Sequence, residues 1–151
     1  MIEYCNGDIF DSDADIIVHQ VNCVGTFGCG IAKKIKKKYP TCMREYFDMI
    51  DNVKKNGKNP HSLLGLCCIS FYEENKAIAH LFGQYDEYTD HEALRDSLIK
   101  LRTFCEMFDY SVAIPYNMGC GLAGGNWSII EDIIDTVFKD SKLKVQIWIR
   151  N

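Results

Sequence analysis

The chain contains no apolar run approaching the length of about 18 residues that spans a bilayer. Its start, Met1-Ile2-Glu3-Tyr4, has neither the basic opening nor the hydrophobic stretch of a secretory signal. A cytosolic protein with no membrane partner is therefore expected. Eight cysteines are present, but no two form a C-x-x-C pair, so a disulfide framework or a zinc site is not expected, nor is any metal or cofactor. Cys5, Cys23, Cys42, Cys67, Cys68 and Cys105 read as reduced thiols, most of them within hydrophobic runs. Strong charge of either sign is also lacking. A net charge of −4 neither requires nor excludes an anionic ligand, because backbone amides can bind phosphate without a cationic side chain. With no internal repeat, low-complexity stretch or linker, the 151 residues predict one domain, 1–151.

Glycine is what the chain concentrates. Gly25-Thr26-Phe27-Gly28-Cys29-Gly30 and Gly119-Cys120-Gly121-Leu122-Ala123-Gly124-Gly125 each separate a strand-like run from a helix-like run. Glycine permits positive φ and close approach, so successive amides can converge on an anion at a helix N-terminus. Two such loops in one small domain point to a diphosphate ligand. A β-branched residue at Gly121 is expected to harm diphosphate binding, through sterics and loss of the required backbone conformation. Cys29 and Cys120 suit tight backbone packing inside these loops, a catalytic thiol being the alternative.

Hydrophobic periodicity predicts strands at Met1–Tyr4, Asp15–Val21, Leu63–Tyr72, Lys76–Gly83, Ser111–Pro115 and Lys144–Ile149. It predicts helices at Gly30–Lys38, Cys42–Lys54, Asp90–Phe108 and Asn126–Phe138, with Pro40 as a break and Thr89 with Glu92 as a capping box. The alternation predicts an α/β fold: a three-layer α/β/α sandwich whose mixed, mostly parallel sheet has about six strands, Leu63–Tyr72 lying centrally. Ligands of such sheets bind at the carboxyl ends of the strands, where both glycine loops begin. Gly119-x-Gly121-x-x-Gly124 formally matches a dinucleotide fingerprint, but Lys144–Asn151 supplies no acidic residue for a ribose, which disfavours a nicotinamide dehydrogenase. Lys33, Lys34, Lys36, Lys37, Lys38 and Arg44 flank the apolar Ile31, Ile35 and Tyr39, which favours a solvated helix face over a nucleic-acid patch.

Three groups of residues together resemble a macrodomain, the ADP-ribose-binding fold, along the whole chain. They are Asn6-Gly7-Asp8-Ile9; Val21-Asn22-Cys23-Val24-Gly25 leading to Gly28-Cys29-Gly30-Ile31-Ala32; and Ile114-Pro115 with Gly119-Cys120-Gly121-Leu122. Gly119–Gly125 with Trp127, and Leu81-Phe82-Gly83-Gln84, are most similar to the branch of terminal ADP-ribose glycohydrolases and ADP-ribose-1″-phosphate phosphatases. The resemblance implies that Asp8 accepts from the adenine amino group, that the Ile9 N–H bonds a ring nitrogen, and that Asn22 meets the distal ribose. It implies backbone contacts to the diphosphate and distal ribose from Gly28, Cys29, Gly30 and Ile31 on one side. On the other are Gly119, Cys120, Gly121 and Leu122, with Pro115 and Met118 beside them. Phe27, Tyr85 and Tyr116 are the aromatic candidates. Without the resemblance, Asp8 would read as a turn former and Asn22 as a loop anchor.

The lysine and aspartate of the glycohydrolases correspond here to Gln84 and Ala123. Neither can form a Schiff base or move a proton, so that covalent mechanism is disfavoured. Three readings remain: a hydrolase acting at the distal ribose, above all on ADP-ribose-1″-phosphate; a non-catalytic reader of free or macromolecule-linked ADP-ribose; and a protein acting on ADP-ribosylated nucleic acid. For catalysis, Asn22 and Gln84 are expected to position substrate, with His80 or Asp90 as proton acceptor. The bland alternatives are a hydrogen-bonded core histidine for His19 and His80 and a helix-dipole charge for Asp90.

Overall fold

The computed structural model describes residues 2–26 and 30–150. Seven strands form one sheet: β1 (Ile2–Asn6), β2 (Ile16–Asn22), β3 (Cys67–Glu73), β4 (Lys76–Tyr85), β5 (Tyr88–Thr89), β6 (Val112–Pro115) and β7 (Val145–Ile149). Their order is β1-β7-β6-β2-β4-β3, with the two-residue β5 paired to β4. Neighbours from β1 to β4 are parallel; β3 and β5 run antiparallel to β4. Helices α1 (Ile31–Lys38) and α2 (Pro40–Lys55) pack on one face, α3 (His91–Phe108) and α4 (Trp127–Phe138) on the other.

The two cores follow from strand alternation. Ile16 and Val18 of β2, with Ala77, Ala79 and Leu81 of β4, meet Leu94, Leu98 and Leu101 of α3 and Ile130, Ile133, Ile134 and Val137 of α4. Ile17, Val21, Ile78 and Phe82 face Ile35, Met43, Tyr46 and Ile50.

The structure corrects two expectations and refines two others. Leu63–Tyr72 is not a central strand: Pro60–Leu63 forms a 3-10 turn capped by Asn59, Gly65 turns the chain at φ +88°, and the shorter β3 lies at the sheet edge. Pro40 does more than break a helix; it is the first residue of α2, where its missing N–H has no partner to lose. The α3 cap is Asp90, whose Oδ1 accepts from Ala93 N at 3.0 Å, while Thr89 belongs to β5 and bonds elsewhere. Among the described residues the six expected strands are joined by a seventh, β5, whose two residues are too few to show periodicity. Among the described residues no helix is long and apolar enough to cross a membrane.

Candidate functional site

Because β1, β7, β6, β2 and β4 are parallel, their carboxyl ends share one side of the sheet, and the loops that leave them line a groove of about 1050 Å³. Strand order sets the order along it. At one end, around the carboxyl ends of β1 and β7, lie Gly7, Asp8, Ile9, Phe10, Trp148 and Arg150. Pro115 ends β6, and Tyr116, Met118, Gly119, Gly121 and Leu122 follow it. Asn22 at the end of β2, Thr26 beyond it, Gln84 of β4, Asp86 and Glu87 of the β4–β5 turn and Tyr88 of β5 complete the far end, with Gly30, Ile31 and Lys34 of the first loop and α1. Both glycine loops therefore line a single groove. Gly28, Cys29 and Phe27 fall outside the described residues.

Asp8 is exposed and caps a 3-10 turn over Ile9–Asp11, its Oδ1 accepting from Phe10 N at 3.0 Å. The turn-forming role is thus real, yet a carboxylate has about four acceptor positions, so capacity is left for a ligand. The next amide, Ile9 N–H, has no partner among the described residues. Trp148 approaches Gly7 so closely that a Cβ there would meet its ring at 3.5 Å.

In the second loop, the amides of Gly121, Leu122 and Ala123 make no hydrogen bond among the described residues, nor do those of Ile31 and Ala32 opening α1. They are donors available to an anion. Gly121 lacks positive φ, so the backbone conformation expected to require glycine there is absent, and an added Cβ would meet no described protein atom within 4 Å. The demanding positions are Gly119, at φ +78°, Gly124, at φ +67°, and Gly125, whose N–H bonds Gly119 O at 2.8 Å and where a Cβ would collide with that oxygen. Cys120 does not line the groove; it packs against the α3/α4 core with its thiol on Met118 O at 3.5 Å, and burial pushes its pKa up, away from a reactive thiolate.

At the far end Asn22 is only 6 % exposed. The ladder between β2 and β4 shifts register there, pairing Val21 with Phe82 and Asn22 with Gln84, and such a bulge re-aims a side chain. The Asn22 amide donates to Thr26 Oγ1 (3.0 Å) and Asp86 O (2.8 Å) and accepts from Val24 N (3.1 Å) and Asp86 N (2.9 Å). Gln84 Nε2 also donates to Asp86 O, at 2.8 Å. Both amides thereby fasten the β4–β5 turn, while the carboxylates of Asp86 and Glu87 belong to exposed residues lining the groove. Beneath, the Tyr46 hydroxyl donates to Asn22 O and tethers the start of the first loop to α2. The thiol of Cys23, buried beside it, is pushed up to about 12 by desolvation.

Two residues expected near the chemistry lie elsewhere. His80 is buried under the sheet: its Nε2 bonds Cys42 O (3.0 Å) and Ser70 Oγ (3.2 Å), and its Nδ1 faces His19 Nε2 at 2.7 Å. Burial lowers both histidines, His80 to about 4, so neither takes a proton readily. Since a carbonyl only accepts, His80 carries its proton on Nε2 and takes one from His19 at Nδ1. Asp90 caps α3 and does not line the groove. Tyr85 stacks on His61 (3.6 Å, 15°) outside it, whereas Tyr116 lines it. Sequence reading missed Phe10, Gln20, Arg150 and Trp148, named Thr26 only as a member of the first glycine loop, and assigned Lys34 only to a solvated face. Their signal is positional, since each lies within a few residues of a strand's carboxyl end or of a glycine loop.

No family model matches the chain. In structure it matches the macrodomain of Mycobacterium tuberculosis DarG with a TM-score of 0.79 at 26% identity, over 98% of this chain and 97% of that one. In sequence it is 31% identical to the ADP-ribose 1″-phosphate phosphatase of Saccharomyces cerevisiae, across 82% of this chain and 72% of the relative. The chain belongs to the macrodomain family. This macrodomain is also 44% identical to the DNA ADP-ribosyl glycohydrolase of Mycobacterium tuberculosis over 92% of its own length, but it spans only 39% of that protein.

Proposed function

We propose that this macrodomain binds an ADP-ribose derivative along the groove and hydrolyses a phosphate from the distal ribose, as an ADP-ribose-1″-phosphate phosphatase. The observation that carries the reading is that both glycine loops line the same groove, the amides of Gly121, Leu122 and Ala123 and those of Ile31 and Ala32 having no partner among the described residues, with an acceptor carboxylate, Asp8, at one end and a polar set of Asn22, Gln84 and Asp86 at the other. From β1 to β4 is four strand steps, about 19 Å at ~4.8 Å spacing. A nucleoside, a diphosphate and a second sugar in series fit that length. The adenine end falls to Asp8 and Ile9, with Trp148 as an apolar wall and Arg150 at the mouth.

For hydrolysis, water is the nucleophile, and Asp86 and Glu87 are the acid–base groups this end of the groove offers. His80 and Asp90 are set aside for the geometric reasons above. Gln84 and Ala123 both line the groove, which leaves the lysine–aspartate glycohydrolase route without its reagents. Release of inorganic phosphate from ADP-ribose-1″-phosphate, weakened in Glu87→Gln or Asp86→Asn, tests the reading. Binding of ADP-ribose with no turnover at high protein concentration leaves a reader; no binding at all overturns both.

A second reading, that the ADP-ribosyl group is carried on nucleic acid, is favoured by the 44% identity to a DNA ADP-ribosyl glycohydrolase. Lys34 also lines the groove, with exposed Lys33, Lys37 and Lys38 on the same short helix. Binding of single-stranded DNA that falls steeply with salt and with Lys34→Glu would support it.

A further inference from the structure

We propose that Thr89 is a positioning residue for the diphosphate loop, strapping Gly119–Gly125 into its anion-binding shape, and that Gln20 holds Thr89 in place. The inference rests on the reading above, in which this loop takes a diphosphate. Thr89 grips the loop at two points: Oγ1 donates to Gly119 O at 2.8 Å, and its N–H donates to Ala123 O at 2.9 Å. Gly119 O also receives Gly125 N at 2.8 Å, which draws the loop closed.

A cradle of amides works only if the carbonyls of the same loop are turned elsewhere, since a carbonyl oxygen repels an anion. Here that division is built in. Within the loop, Gly121 O takes Gly124 N, and Gly119 O and Ala123 O are held by Thr89, whereas the amides of Gly121, Leu122 and Ala123 remain without partners among the described residues. Two of these three carbonyls are thus committed by a residue outside the loop.

Gln20 supplies the layer below. Its Nε2 donates to Thr89 Oγ1 at 2.9 Å. A hydroxyl has a single proton, so accepting from Gln20 leaves that proton for Gly119 O. The Gln20 side chain occupies a slot between two glycines: a Cβ on Gly83 would lie 2.6 Å from its Oε1, and one on Gly119 would lie 3.0 Å from the same atom. Gln20 Oε1 is buried and has no hydrogen-bond partner among the described residues. An apolar side chain of that size would avoid the unmet acceptor, but it would not hold the hydroxyl.

The test compares wild type, Thr89→Val, Thr89→Ser and Gln20→Leu by calorimetric titration with ADP-ribose and with adenosine, which lacks the diphosphate. Amide resonances of Gly119–Gly125 are recorded in the ligand-free proteins. Thr89→Val should weaken ADP-ribose binding about tenfold, the scale of one hydrogen bond, and leave adenosine binding unchanged. Serine should restore it, and Gln20→Leu should follow valine in kind. The loop resonances should move in Thr89→Val and return in Thr89→Ser. Wild-type affinity for ADP-ribose in the valine variant, or equal loss for both ligands, overturns the strap. Should wild type bind no ADP-ribose, the proposed function fails separately, and the strap is then decided by the resonances: unmoved in Thr89→Val, they overturn it; moved and restored by serine, they support it.

Discussion

Asn22 and Asp86 exchange two hydrogen bonds, side-chain Nδ2 to Asp86 O at 2.8 Å and Asp86 N to Oδ1 at 2.9 Å, which ties the end of β2 to the β4–β5 turn. Asp86 holds φ +54° in that turn, an unusual conformation for a residue with a side chain. The pairing makes Asn22 a structural fastener as well as a groove residue.

Removal of that fastener should therefore be visible without any ligand. Asn22→Ala is expected to destabilise the fold by about 2–3 kcal/mol, the scale of a buried hydrogen-bonding side chain deleted with its partners left unmet. Urea unfolding measures this, and hydrogen exchange at the Asp86 amide should quicken. A variant as stable as wild type, with an unchanged Asp86 amide, would show that the fastener does not hold the turn.

Asp8 has two tasks that separate by substitution. Asp8→Ser keeps an oxygen able to accept from Phe10 N and so should change stability by no more than a few tenths of a kcal/mol. It removes the charged acceptor, and ADP-ribose affinity should fall by about 1–3 kcal/mol in calorimetry. Equal affinity in the serine variant would remove the adenine role.

Glycines of the second loop should differ in a definite order. Gly125→Ala forces a side chain against Gly119 O and should cost more than about 2 kcal/mol of stability. Gly121→Ala points a methyl group into open space and should leave thermal unfolding within about 0.5 kcal/mol of wild type. The reverse order would mean that the loop has another shape.

Acid should destabilise the protein through the histidine pair. Buried His19 and His80 stay neutral, with His80 lowered to about 4, whereas unfolding exposes them to titrate near their ordinary value of about 6.5. The unfolded chain then binds more protons, so stability is full above about pH 6.5 and falls as pH drops toward 4, by up to about 1.4 kcal/mol per pH unit for each histidine. His80→Gln should shallow that slope in pH-dependent melting. An unchanged slope would place the acid sensitivity elsewhere.

Much of the fold was legible along the chain. The stripes Leu94-Leu98-Leu101 and Ile130-Ile133-Ile134-Val137 repeat at helical spacing, so the faces of α3 and α4 follow from local order. The two glycine loops and the Asp8 turn were legible too, because backbone conformation imposes its residue preference wherever it occurs. By contrast, the apolar run Leu63–Tyr72 misled, since a continuous hydrophobic stretch does not distinguish an edge strand preceded by a turn from a central strand.

Histidines in strands illustrate the harder case. Nothing in the spacing of His19 and His80 distinguishes a groove from an interior, and only the parallel register of β2 with β4 pairs them under the sheet. Asp90 was ambiguous in the same way until its carboxylate met Ala93 N.

Local residue order carried the layered α/β class, the family resemblance and the position of the two glycine loops, because periodicity and glycine act over a few residues. Assembly of the sheet is what makes both loops line one groove, lets Asn22 fasten a hairpin, and brings Gln20 and Thr89 to the second loop. Each of those depends on strands brought side by side from distant parts of the chain, and no local pattern encodes which strands will be neighbours.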